Sequence, residues 1–355
     1  MDQALARHPV WSPDGRRIGW SEVTESGAAI VSADADGGQR RRAQSNFSGY
    51  FGYWNPTSTL LGFLGNNGSG TGMLLDDGTG SRLGETVDSD SFYYYSWSPD
   101  GDRWVVHSGS GIRIMSADGS PGTLVDLEPG RFRAPVWTPD GSILLAIPDA
   151  DGNVIVRLNP ETGAVQPVLA VGDITSIVLD PTGRYLAIES VYVELDEDSD
   201  DTGDGADAGT STISQPTGNP RLERAEVLVH DLQSGETVVA WENISAGFWW
   251  SPDGTTLAIL VGAEQPTLAR WFVWRGEASF VGEPFRLTRN FATGYVPFFD
   301  QFAQAVSPWS PDSSQFVYTG TNAAGEQGVY VQQAEPDTAA ELIADGGVIA
   351  FWSPT

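Results

Sequence analysis

The stretch HPVWSPDGRRIGW, residues 8–20, returns with small changes as YSWSPDGDRWVV at 95–106. Pro presets φ for the second position of a type I turn, Asp can hydrogen-bond nearby backbone amides, and Gly tolerates the exit conformation. A large apolar residue precedes the turn and a short apolar run follows it. That is the composition of a joint between two strands, and no residue in it is committed to chemistry. The anchor residue recurs as Trp11, Trp54, Trp97, Trp137, Leu179, Trp250, Trp309 and Trp352.

Most neighbouring anchors lie 40–43 residues apart, and a period of about 40–45 residues points to four-stranded propeller blades. Three residues past each turn stands an apolar residue: Ile18, Leu61, Trp104, Leu144, Leu186, Leu257 and Phe316. A third segment with period-two alternation comes next, as in GIRIMSADG (111–119) and AEVLVHDLQSG (225–235), closing in a tight turn before a fourth short strand. The expected fold is all-β, a single propeller domain over 1–355. It has seven complete four-stranded blades and one leftover innermost strand, GGVIAFWSPT (346–355), giving a seven- or eight-fold ring. Such a strand would want partner strands from before residue 8, so a preceding N-terminal piece is expected.

Two spacings are long. Between Leu179 and Trp250 lies ELDEDSDDTGDGADAGTSTISQPTGNP (194–220), acidic and nearly without apolar residues, expected to be a disordered insertion between the second and third strands of blade five. Between Trp250 and Trp309 lies RLTRNFATGYVPFFDQFAQAVSP (286–308), aromatic and apolar. It is expected to be ordered, to lie across one face of the disc and to hold what little helix the chain has.

The net charge of −28 repels phosphate backbones and anionic membrane surfaces, which argues against nucleic-acid binding. No apolar run approaches the ~18–20 residues of a membrane span. Cys is absent, which removes disulfides, thiolate chemistry and Cys-ligated metals.

The Trp-Ser-Pro-Asp-Gly phrases and the apolar strands after them resemble the TolB-like, WD-like β-propeller repeat family, also seen in the propeller domains of prolyl-oligopeptidase-type peptidases. The resemblance runs from Trp11 to the C-terminus. It implies the fold and an extracytoplasmic location, periplasmic or secreted, and it leaves function open, because propellers host unrelated activities.

No Gly-x-Ser-x-Gly elbow occurs, and the three histidines, His8, His107 and His230, fall in separate repeats, each read as structural. No His-x-x-x-His pair exists, and Asp196-x-Asp198-x-Asp200 lacks the Gly and Glu that a calcium loop of the EF type needs, so neither metal nor cofactor is expected. Aromatic residues crowd the segments just before the anchors: Tyr50, Phe51, Tyr93, Tyr94, Phe298, Phe299 and Phe302. Arg131, Arg133 and Asp300 fall in the same loops, and aromatics mixed with Arg suit recognition surfaces. The expected function is a non-enzymatic, monomeric propeller that binds a protein, peptide or glycan at one face. Tyr94, Arg131, Arg133, Phe299, Asp300 and Phe302 are its expected contacts, Phe299 and Phe302 on condition that their rings are exposed; buried, they would be a plug that stabilises the insertion and belong to the core. The alternative is a hydrolase or lyase with its site in the central channel.

Overall fold

The structure, a computed structural model, describes residues 5–24, 27–45, 48–66, 70–77, 82–87, 92–109, 111–118, 120, 122–127, 134–150, 152–195 and 220–355. Nearly all of its regular structure is β. Successive antiparallel four-stranded meanders span 5–45, 48–87, 92–125, 136–171 and 174–241, each with its strands in chain order. The segment 245–345 differs, because it forms one seven-stranded sheet. Its fourth strand, Ala278–Leu287, outruns its own sheet and pairs Arg286 with Thr321 and Leu287 with Gly320. The last two strand sets, expected to be separate, are therefore joined. In the last set the innermost strand shrinks to a single bridge, Trp309 to Phe316.

The repeated phrase closes its own hydrogen bonds. In the third sheet Ser98 Oγ donates to Asp100 and accepts from Arg103 N–H, while Asp100 accepts from Asp102 N–H. Gly101 leaves the turn at φ +77, a conformation that favours Gly. The hydroxyl of Ser98, foremost, holds the Asp100 carboxyl below its ordinary pKa. In the fourth sheet the hydroxyls of Thr138 and Ser142 bring Asp140 down to about 2. That turn is one residue shorter, since Thr138 N–H reaches Ser142 O rather than a fifth residue on. Ile143 therefore stands opposite Trp137, and Leu144, three residues past the turn, pairs with Val136.

Five anchor indoles, those of Trp54, Trp97, Trp137, Trp250 and Trp309, tie their strand set to the one before. Trp54 Nε1 donates to Val10 O at 3.3 Å, Trp97 to Tyr53 O at 3.1 Å, Trp137 to Ser96 O at 3.1 Å, Trp250 to Val178 O at 3.1 Å and Trp309 to Trp249 O at 2.9 Å. The acceptor is always the carbonyl just ahead of the preceding anchor. The Trp ring and the apolar residue paired with it fill the space between sheets: Trp54, Leu61 and Trp104 have no exposed surface, and Trp97 keeps 2%. The joint is thus both turn and core.

The helical turns of the described residues lie between the sixth and seventh strand sets: α1 (Arg289–Gly294), a 3-10 turn at Val296–Phe298, and α2 (Phe299–Phe302). Thr288 caps α1, its hydroxyl accepting from Phe291 N–H. The acidic insertion joins Tyr185–Leu195 to Pro220–Asp231, and these strands pair out to Leu195 opposite Pro220. Residues 194, 195 and 220, expected in the insertion, are therefore ladder residues, while 196–219, including Asp196, Asp198 and Asp200, lie outside the described residues.

The leftover strand expected at 346–355 does not form. That segment has no strand pairing. Val348 O instead accepts from the hydroxyls of Thr288 and Thr319, and Trp352 N–H reaches Ser307 O at 3.3 Å. Ser353 and Thr355 lie against Gly15, so the tail stands between the last strand set and the first sheet. No helix of the described residues is long and apolar enough to cross a membrane.

Candidate recognition cleft

Three residues before their anchors, the first three repeats carry His8, Phe51 and Tyr94; the next three carry Ala134, Ser176 and Gly247. Large rings thus gather at one side of the channel mouth, and the small residues leave room at the other. The insertion uses that room. Phe299 packs on Phe248 at 4.7 Å between ring centroids and on Trp249 at 5.9 Å. A Cβ on Gly247, whose φ is +151, would sit 3.0 Å from the Phe299 ring, so only Gly admits it. Phe302 turns the other way, against Phe51 at 5.3 Å and Tyr295 at 4.3 Å.

Gln301 fixes this arrangement, accepting from Tyr95 N–H at 3.0 Å and donating to Tyr95 O at 2.9 Å. Residues 303–307 then cross the channel. Beyond them, at the opposite end, a cavity of about 480 Å³ is ringed by turn prolines, among them Pro13, Pro181 and Pro311.

On the insertion's outer side a cleft of about 350 Å³ opens among His8, Tyr50, Phe51, Tyr93, Tyr94, Gly294, Phe298, Gln301 and Phe302. Tyr50, Tyr93 and Phe298 are its rim, 37%, 36% and 44% exposed, whereas Tyr94 and Phe302 form a nearly closed floor. The His8 ring lies parallel to Phe302, 5.8 Å away, at a register break in its strand where φ is +53. Burial, then the charge of Arg7, lowers its pKa to about 4, so it is neutral at pH 7. Its Nδ1 is buried with no partner among the described residues. Among the described residues His8 is the cleft's one readily titratable group, and no carboxylate lines it. Such a lining can stack and desolvate a ring or an aliphatic chain, and offers few polar contacts.

The residues expected to form the recognition face divide. Tyr94 and Phe302 line the cleft. Phe299 and Phe302 do not present exposed rings: they keep 6% and 7% of their surface, because the small residues opposite let the insertion sink into the channel. Phe299 belongs to the core. Asp300 is also buried, accepting from Gln301 N–H at 2.9 Å. Arg131 and Arg133 lie outside the described residues. Sequence reasoning set His8 aside as structural and passed over Gln301. Position could have found His8, since it is placed as Phe51 and Tyr94 are.

No protein-family profile matches the chain, and no curated protein sequence does. Solved structures do. The chain is similar to an oligogalacturonate lyase in complex with manganese, at 11% identity over 92% of this chain and 89% of that one, with a TM-score of 0.58. It is similar to the β-propeller domain of the trilobed protease from Pyrococcus furiosus, at 12% identity over 98% and 97%, with a TM-score of 0.55. TolB from Acinetobacter baumannii matches at 16% identity over 76% of this chain, with a TM-score of 0.45; this chain spans 60% of its length. The fold is a β-propeller. At these identities the likeness extends to the fold alone.

Proposed function

We propose that the protein is a non-enzymatic recognition propeller that takes an aromatic or aliphatic side chain of a protein or peptide partner into the aromatic cleft lined by His8, Tyr94 and Phe302. The observation that carries this is the pairing of a buried aromatic floor, Tyr94 and Phe302, with three half-exposed rings on its rim. Aromatic anchors seated in desolvated pockets dominate binding energy at protein interfaces, at about 2 kcal/mol or more each. A volume of about 350 Å³ suits one large side chain and its neighbours in the chain. A sugar ring could stack on the same aromatics, but the lining offers few partners for its hydroxyls. We read the seven strand sets as seven blades, with 346–355 wedged between the last and the first, and 196–219 as a solvated acidic loop. An extracytoplasmic, monomeric protein is the corresponding proposal, resting on the resemblance of the repeats.

Panning a displayed peptide library against the protein tests this reading. Selected peptides should share an aromatic or large aliphatic residue and compete with one another. Selection of hydrophilic peptides, or of peptides that bind a Tyr50→Ala, Phe298→Ala variant as well as the parent, would contradict it.

A further inference from the structure

Three features of His8 go beyond what the core requires. It stands at φ +53 immediately before Pro9, where a residue is ordinarily extended, and at a break in the register of its strand. Strained backbone of this kind persists only where the surroundings hold it, and it gathers at functional sites. Its Nδ1 is shut in without a partner; its Nε2 has none among the described residues either, but that atom is not buried. Buried imidazoles ordinarily have at least one nitrogen hydrogen-bonded. The cavity that the His8 ring lines is the aromatic cleft.

Gln301, the other nitrogen-bearing side chain of that lining, already gives its amide to Tyr95. His8 is therefore the group left to read the polarity of whatever enters. A neutral imidazole offers an N–H at one nitrogen and a lone pair at the other. Whichever of the two Nε2 carries, a phenol hydroxyl answers it, because it both donates and accepts. An indole only donates, and phenyl and alkyl groups do neither. Charged side chains suit the site badly. The charge of Arg7 acts on His8 and would repel a second cation, and a carboxylate would lose its water against the Tyr94 and Phe302 rings.

We infer that His8 is the specificity-determining residue of the cleft and that the side chain it selects is a tyrosine, its ring on the aromatic floor and its hydroxyl hydrogen-bonded to His8 Nε2. This rests on the reading of the cleft given above and narrows it. Apolar contact admits several large side chains about equally, whereas a hydrogen bond in a desolvated pocket discriminates among them.

The probes are the capped peptide Gly-Gly-Tyr-Gly-Gly and its Phe, Leu and Trp counterparts, titrated against the whole protein at pH 7 by ligand-observed NMR. The Tyr peptide should bind roughly fivefold to tenfold more tightly than the Phe peptide. His8→Phe should bring the two to equal affinity, and His8→Gln, whose amide reaches about as far as Nε2, should restore part of the difference. A readout on the parent protein needs no variant: with the histidine nitrogens isotopically labelled, the His8 Nε2 resonance should move with the Tyr peptide and far less with the Phe peptide. Equal affinity of the Tyr and Phe peptides, an unchanged ratio in His8→Phe, or tighter binding of the Trp peptide would overturn the inference and leave the cleft reading standing. Failure of all four peptides to bind, or undiminished binding to the Tyr50→Ala, Phe298→Ala variant, would overturn the cleft reading and this inference with it.

Discussion

Gln301 treats Tyr95 as a neighbouring strand would. It gives one donor and one acceptor to the free edge of an innermost strand whose other edge pairs Tyr95 with Val106. One side chain, 206 residues away in sequence, thereby docks the insertion in the channel. Replacing it by Leu would leave the main-chain N–H and C=O of Tyr95 buried and unpaired. The expected cost is about 1–3 kcal/mol in urea unfolding, and cleft binding should weaken as the Phe302 floor loosens. Gln304→Ala, which loses one long bond to Pro135 O at 3.3 Å, should cost less.

Trp97 tests the reading of the repeated phrase. Trp97→Ala removes a ring that keeps 2% of its surface and should cost about 3–5 kcal/mol. Trp97→Phe keeps most of the ring but loses the bond to Tyr53 O, and should cost less. Ligand affinity of the folded fraction should be unchanged in both. A variant that keeps its melting temperature and loses its ligand would make the phrase a site rather than a joint.

The joint was legible because every part of it is local: the anchor, the Pro-Asp-Gly turn and the apolar residue after it sit within a few residues of one another. What depends on distant partners was not. Nothing near Leu287 announces that its strand will reach Gly320, and the burial of Phe299 depends on Gly247, a residue without side chain in another repeat. The register at Trp137 depends on a turn one residue shorter than its relatives, which sets Ile143 rather than Leu144 opposite the anchor. The tail carries a strand-like sequence but pairs with no strand among the described residues. Within the site, the aromatic crowding pointed to the right region, while exposure, which separates rim from core, required the insertion's path.

His8 makes stability pH-dependent. Its folded pKa, about 4, lies below the ordinary value of 6.5, so the unfolded chain binds a proton that the folded chain refuses. Its contribution is complete above pH 6.5 and is lost as pH falls toward 4. The loss should approach roughly 2–3 kcal/mol, at about 1.4 kcal/mol per pKa unit. Urea titrations at pH 7, 5.5 and 4.5 on the parent and on His8→Phe would check this, with a flatter profile expected for the variant.

The acidic insertion should be dispensable for folding. Leu195 and Pro220 already stand opposite each other, so deleting 197–218 leaves a short turn to close an existing ladder. The circular dichroism spectrum and unfolding midpoint should be little changed; loss of the β signal would show that the segment holds the fold.

The most direct measurement of cleft recognition is the dissociation constant of a library-selected peptide, by calorimetry, for the parent and for the variant with Tyr50→Ala and Phe298→Ala. Both rings stand on the rim and are more than a third exposed, so their removal should leave the melting temperature nearly unchanged. Affinity should fall by roughly tenfold or more. An unchanged dissociation constant in a stably folded variant would place recognition elsewhere on the propeller.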